Sequence, residues 1–385
     1  MDEVASPKRS SAVLVEIPRY AAPTAAVDRS IGPPRIPPLI TVLFLLTMLT
    51  TTMAGAMMDG EDFMLAHPIA LTVALLLHPI LTIVALFGHP FATLSALGNG
   101  LTFSIPLMAI LLAHEMGHYL TARNHLVDTT LPYFIPAPPL PFITGTFGAF
   151  IRMRSNPRTR RAMFDIGAAG PWAGVLVAIP ALIIGLYLSD VTPLDKSQGG
   201  YELGNSLLFL GLSRLVLGLD PNTVNVNLHP AAFAGWLGLL VTSINLLPVG
   251  QLDGGHVTYA LFPRRHRTIS ILFVITLILL VLVPLALGRN PWWGWMLWAI
   301  LSVALGVGHP STADRDTPLD SRRTIAAWAT IALFIVTFSP MPISLHLPED
   351  NPHQGPPGPG NGHAVEVMSP APHHDRMIDH LRIRL

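Results

Sequence analysis

His114-Glu115-Met116-Gly117-His118 is a His-Glu-x-x-His pentapeptide set in an apolar stretch that begins near Leu101. On a helix, positions four apart differ by about 40° around the axis, so His114 and His118 can grip one Zn²⁺ while Glu115 reaches a water at the metal. That chemistry is hydrolysis, and the sequence around it places the reaction inside a membrane. A third ligand is required. The acidic candidate in a second apolar span is Asp253, within Asn245-Leu246-Leu247-Pro248-Val249-Gly250-Gln251-Leu252-Asp253-Gly254-Gly255-His256. An ionisable residue in a span is costly unless paired, and a cation held by two neutral imidazoles supplies the missing positive charge. Pro248, Gly250, Gly254 and Gly255 break the helix and let Asp253 approach the metal.

The elements that must position these groups are membrane spans. Of 385 residues, 51% are hydrophobic and 12% charged, against about 25% charged in a typical soluble domain. The chain reads as a polytopic membrane protein. Its formal net charge is zero and no basic block is interleaved with aromatics, which argues against nucleic acid as a partner. With no Cys there is neither a thiol nucleophile nor a thiolate ligand, and a metal must sit on His, Asp and Glu. Residues 1–37 read as a polar, Pro-rich, disordered cytoplasmic arm, 38–340 as the membrane domain, and 341–385 as a flexible Pro-, Gly- and His-rich tail. Ala54-Gly55-Ala56 has the form of a signal-peptide cleavage site, but the long arm before the first apolar run favours an uncleaved anchor.

Apolar windows able to cross about 30 Å of hydrocarbon fall near 39–58, 101–122, 163–188, 231–261, 269–287, 291–308 and 324–340. An eighth run, 69–88, contains His78-Pro79 and is flanked by His67-Pro68 and His89-Pro90. It reads as a Pro-kinked segment dipping in or lying on the outer face. If it crossed, the loop bearing Arg123, Arg152, Arg154, Arg158, Arg160 and Arg161 would lie outside, against the positive-inside tendency. The expectation is therefore seven crossings, with the N-terminus inside and the C-terminus outside.

The pair His114-Glu115-x-x-His118 and Asn245-x-x-Pro248-x-x-x-x-Asp253-Gly254-Gly255 resembles the signature of the site-2 protease family of intramembrane zinc metalloproteases. Gly145-Thr146-Phe147-Gly148-Ala149-Phe150 resembles that family's Gly-x-x-Gly membrane-associated hairpin, and Phe164 to Pro171 the start of its next core helix. The resemblance covers about 100–262. It implies an all-α polytopic fold of about seven transmembrane helices with a short β-hairpin, and a three-span core holding one Zn²⁺ per chain near the cytoplasmic side of the inner membrane. It also implies a substrate that is a transmembrane protein of the same bilayer. By that resemblance His114, His118 and Asp253 hold the metal and Glu115 is the acid–base. Asn245 bonds the substrate backbone, and Gly145, Thr146, Phe147 and Gly148 offer a strand edge to an unwound substrate. No stretch is long enough for a PDZ domain or a CBS pair, which brings the chain nearer the compact plastid and cyanobacterial group.

Other residues read as structural. Asp165 is expected as a helix N-cap beside Arg160 and Arg161, and His125 as an interfacial side chain. His256, one turn after Asp253, is expected in a buried or interfacial structural role ahead of a proton-carrying one, and the five arginines from Arg152 to Arg161 to form a positive-inside anchor. Gly167, Gly170 and Gly174 mark close helix packing, and Pro136 to Pro141 a rigid connector. Trp292, Trp293, Trp295 and Trp298 read as an interfacial belt. The rival readings are a divalent-metal transporter and a catalytically inactive helix-binding relative. The sequence leaves oligomeric state and substrate identity open.

Overall fold

The computed structural model describes residues 36–58, 88, 90–138, 144–193, 200–219, 224–314, 317–346 and 383–384. The arm to residue 35, nearly all of the 69–88 run, the centre of the Pro136 to Pro141 connector and the middle of the tail lie outside them. The described part is mainly helical: α1 (Pro38–Met58), α2 (Pro90–Asn124), α3 (Arg160–Tyr187), α4 (Leu207–Leu217), α5 (Pro230–Asn245), α6 (Asp253–Leu261), α7 (His266–Ala286), α8 (Gly294–Leu305) and α9 (Ser321–Thr337). Short strands join them: β1 (Tyr133–Pro136), β2 (Thr146–Phe150), β3 (Asp190–Pro193), β4 (Gly200–Leu203), β5 (Val224–Asn227), β6 (Ile343–His346) and β7 (Ile383–Arg384).

Four helices, α1, α2 from Leu94, α3 and α7, are long and apolar enough to cross a membrane by length and composition. α7 is the most lipid-like. Leu272, Ile275, Leu279, Leu282 and Val283 stay exposed along it, an arrangement that water would penalise and hydrocarbon accepts. The 231–261 window is not one helix. α5 ends at Asn245 and α6 begins at Asp253, with a turn between them in which Gly250 takes φ +54. The 291–308 window shortens to the twelve residues of α8, and α4 arises inside what reads as a loop in the sequence.

The core is a sandwich of α2, α3 and α5 around Phe103, Ile110, Leu182, Leu186, Phe209 and Leu239, each no more than 2% exposed. Small residues let the backbones meet, as hydrocarbon supplies no hydrophobic drive between helices. A Cβ on Gly117 would stand 2.6 Å from Ala169 O, and one on Gly235 would stand 2.8 Å from Leu182 Cβ. α1 joins through Thr51 Oγ1 and Ser104 Oγ, 2.6 Å apart.

Contacts between distant segments sort the connections into two ends. At one end β3 pairs antiparallel with β5, and β4 with β6 and, in parallel, with β7, so the described ends of the tail are strands. At the other end His125 and Arg323 both meet Asp165, and Arg160 reaches Ala260 O and Thr317 O.

The tryptophans do not form a single belt. Trp295 is fully buried, stacks on Phe338 with centroids 5.1 Å apart and donates to Pro340 O at 2.7 Å, while Trp293 is 59% exposed. Helix direction separates them, since Trp295 sits inside the packing of α7, α8 and α9. Trp295→Ala should cost about 3–5 kcal/mol and Trp293→Ala under about 0.5 kcal/mol. Thermal unfolding of the two variants in detergent checks the contrast, and equal losses would overturn it.

Candidate metal centre

α2 carries His114 and His118 one turn apart, and its packing on α3 buries them to 4% and 7% exposure, with Glu115 at 7%. The broken α5–α6 unit brings Asp253 from the opposite side. His114 Nε2 and His118 Nε2 are 3.1 Å apart, and each is 3.2 Å from Asp253 Oδ2. Tetrahedral ligands at zinc bond lengths lie about 3.3 Å from one another. Three donor atoms in so tight a triangle, two on buried imidazoles and one on the partly buried Asp253, are spaced for a metal ion, and among the described residues this is the one group able to hold it. The site residues therefore fit a zinc.

The surroundings fix the donors. His118 Nδ1 lies 2.7 Å from Ile166 O, a carbonyl that can only accept, so Nδ1 carries the proton and Nε2 keeps its lone pair for a metal. Three of the four glycines of α3 lie against the site's histidines: Gly170 has no room for a Cβ against the His118 ring, Gly174 faces His114, and Gly167 faces His256. The sequence pattern identifies them as packing glycines, and the structure shows that they pack against the imidazoles. Asn245 Nδ2 stands 3.2 Å from His114 Nε2, at the same centre. Glu115 takes a backbone hydrogen bond from Ile151, the residue that follows β2.

β2 pairs antiparallel with β1, Tyr133 opposite Phe150 and Ile135 opposite Gly148. Gly145 and Gly148 take φ +66 and +100, a region closed to most side chains, and Thr50 Oγ1 of α1 holds Gly145 O at 2.7 Å. Thr146 Oγ1 donates to Ile135 O, and Phe147 is 57% exposed. Among the described residues β2 has β1 as its one strand neighbour.

Two sequence expectations change. Asp165 is not the N-cap of α3: Thr159 caps that helix by accepting from Ala162 N. Asp165 instead accepts from Arg323 at 2.7 Å and meets His125 Nε2 at 2.8 Å, so His125 ties the end of the motif helix to α3 and α9. Asp320 caps α9 and binds Arg323 as well, and that bond lowers its pKa from the ordinary value. Arg160 is no surface anchor. It is 6% exposed, and its guanidinium clasps Ala260 O at the end of α6 and Thr317 O. Nothing in a run of five arginines sets one apart, so sequence reading could not find it.

Sequence reading also missed His309, whose Nε2 lies 2.7 Å from His256 Nδ1 and whose ring stacks on Tyr259 with centroids 4.2 Å apart. Burial lowers the pKa of His309 from its ordinary value.

A His-Glu-x-x-His helix and a carboxylate from a broken helix, meeting inside apolar packing, define the class of membrane-embedded metallopeptidase centres. Comparison with known proteins agrees. Residues 102–284 match the family described as Peptidase family M50. Over 170 residues the chain is 38% identical to a protein of Oryza sativa subsp. japonica named probable zinc metalloprotease EGY1, chloroplastic, covering 43% of this chain and 29% of that one. The Arabidopsis thaliana protein of the same name is 38% identical over 169 residues, 43% of this chain and 30% of that one. A probable zinc metalloprotease EGY3, chloroplastic, of Oryza sativa subsp. indica is 28% identical over 262 residues, 61% of this chain and 41% of that one. The matches with the first two thus span about 30% of those relatives' length. No solved structure matches the chain. Over residues 102–284 the family match and these relatives support a core of the site-2 protease kind.

Proposed function

We propose that the chain is a zinc-dependent intramembrane endopeptidase that hydrolyses peptide bonds in or near the transmembrane segments of single-span proteins. The observation that carries this reading is the 3.1–3.2 Å triangle of His114, His118 and Asp253 with Glu115 beside it, buried between helices apolar enough for a bilayer. In it, His114, His118 and Asp253 hold one Zn²⁺. A bound zinc supplies Lewis acidity, polarising the scissile carbonyl and acidifying a nearby water. Glu115 takes the proton from the attacking water and returns it to the leaving amine. The Asn245 amide bonds the substrate backbone at the same centre.

A transmembrane helix has its peptide groups bonded internally, so a substrate must unwind before it is cut. The edge of β2 from Gly145 to Gly148, with Phe147 exposed, receives the unwound strand by β-addition. Ile151 links that strand directly to Glu115.

The proposed topology has seven crossings, made by α1, α2, α3, the α5–α6 unit, α7, α8 and α9, with the N-terminus inside and the C-terminus outside. Two sets of contacts support the alternation: β4 with β6 at one end, and Arg160 with Ala260 and Thr317 at the other. The metal centre then faces the cytoplasmic side of a cell membrane, or the equivalent side of a plastid-type membrane.

The test is cleavage of a panel of single-span reporters by the purified chain in detergent. Cuts within the apolar segment should disappear on chelation and return with zinc. Uncut reporters alongside stoichiometric zinc, with metal flux in sealed vesicles, would favour a transporter instead.

A further inference from the structure

The three ligands are not held equally. His114 and His118 ride on a 35-residue helix packed against α1, α3 and α5, whereas Asp253 opens a helix of nine residues. The residue before it, Leu252, makes no side-chain cap bond, and the entry to α6 turns at Gly250. A metal centre tolerates displacements of only about 0.5 Å. Something outside α6 must hold it.

α3 meets α6 where Gly167 faces His256, and a second support is the segment 306–314, between α8 and α9. It begins where Gly306 O meets Gly250, at a point with no space for a Cβ. His309 then bonds His256, one turn after Asp253, and covers the Tyr259 ring. Thr312 N donates to Tyr259 Oη at 2.9 Å, Ala313 N to Arg158 O at 3.0 Å, and Asp314 Oδ1 accepts from Arg160 N at 2.8 Å. Arg160 closes the loop by clasping Ala260 O at the far end of α6. The segment therefore touches α6 at its entry and along its middle, and through Arg160 at its end.

The proton order on the imidazoles follows from a carbonyl. His309 Nδ1 lies 2.7 Å from Pro310 O and so donates to it, leaving Nε2 of the neutral ring as acceptor for the His256 Nδ1 proton. The bond is directional, and it fixes both the rotation and the height of His256. Because His256 is three residues from Asp253 on the same short helix, fixing one fixes the other.

We infer that the 306–314 segment is a strap that sets the position of Asp253 at the metal centre, with His309 acting through His256 as a positioning residue. The inference rests on reading His114, His118 and Asp253 as metal ligands, and the experiment separates the two. The full-length chain is purified in detergent and titrated with Co²⁺, a visible reporter of ligand geometry. His309→Ala should weaken Co²⁺ binding about 10- to 100-fold, as loss of groups that orient ligands does, and should change the ligand-field bands while helical circular dichroism is kept. His309→Gln, whose side-chain oxygen can still accept from His256, should recover most of the affinity. Tyr259→Phe keeps the stacked ring but removes the acceptor of Thr312 N, and should weaken binding several-fold even if the alanine variant fails to fold. Wild-type affinity and spectrum in His309→Ala, or in Tyr259→Phe where the former does not fold, overturns the strap. A wild-type chain that binds no Co²⁺ overturns the metal centre itself, and the strap with it.

Discussion

Glu115→Gln protein will bind zinc as the wild type does and cut single-span reporters about 10²- to 10⁴-fold more slowly, the range associated with loss of a general acid–base group. The substitution is nearly isosteric, and the amide oxygen can still accept from Ile151. Glu115 lies outside the triangle formed by His114, His118 and Asp253, so the metal should keep all three ligands. What disappears is a group able to take a proton from water and give it back. Two assays on one preparation decide the matter: metal content after gel filtration, and reporter cleavage. Full cleavage in the variant would remove Glu115 from the reaction. Loss of metal together with cleavage would make it a structural member of the site instead.

The donor set was legible in the sequence because each ligand carries its own anomaly. Two His and a Glu stand in one apolar run, and an Asp stands among helix breakers in another; neither is affordable in hydrocarbon without a charge between them. The break at 246–252 was legible from Pro248 and Gly250 for the same local reason. The groups that hold the site were not. Arg160 is one arginine among five, and only tertiary packing turns its guanidinium inward to Ala260. His309 is far from His256 in sequence, and Tyr259 looks like any aromatic on an apolar helix. Asp165 sits near the start of α3, where an acidic residue usually caps, yet Thr159 takes the cap and Asp165 pairs with Arg323, 158 residues away. Trp295 follows the same pattern: composition assigns tryptophans near a span end to the interface, and the direction of α8 buries this one. In each case the sequence marks what is costly, and distant partners decide where an ordinary residue points.

The sharpest test of how closely the helices are fitted to the metal centre is Gly170→Ala. Gly170 carries no special backbone angle, and in a helix alanine is normally the better residue by about 0.5–1 kcal/mol. Here the added methyl falls within the His118 ring, whose Nδ1 is already fixed by Ile166 O on the same helix. The ring cannot retreat along its own bond without giving up that carbonyl, so either α3 withdraws from α2 or Nε2 leaves the triangle. Overpacking of this kind costs about 1–3 kcal/mol, and an α3 displaced by even half an ångström carries the Ile166 contact with it. The variant should lose zinc affinity by about 100-fold or more and lose cleavage with it, while keeping its helical content. Gly211→Ala is the matched control. Gly211 lies on α4 with open space where its Cβ would stand, so zinc affinity and cleavage should not change and thermal stability should hold or rise. Wild-type zinc binding in Gly170→Ala would mean that the imidazole is free to move, and that the close approach of α3 to α2 is packing without consequence for the metal. Loss in the first variant with none in the second would show that a single hydrogen atom at position 170 is what lets α3 hold His118 in place.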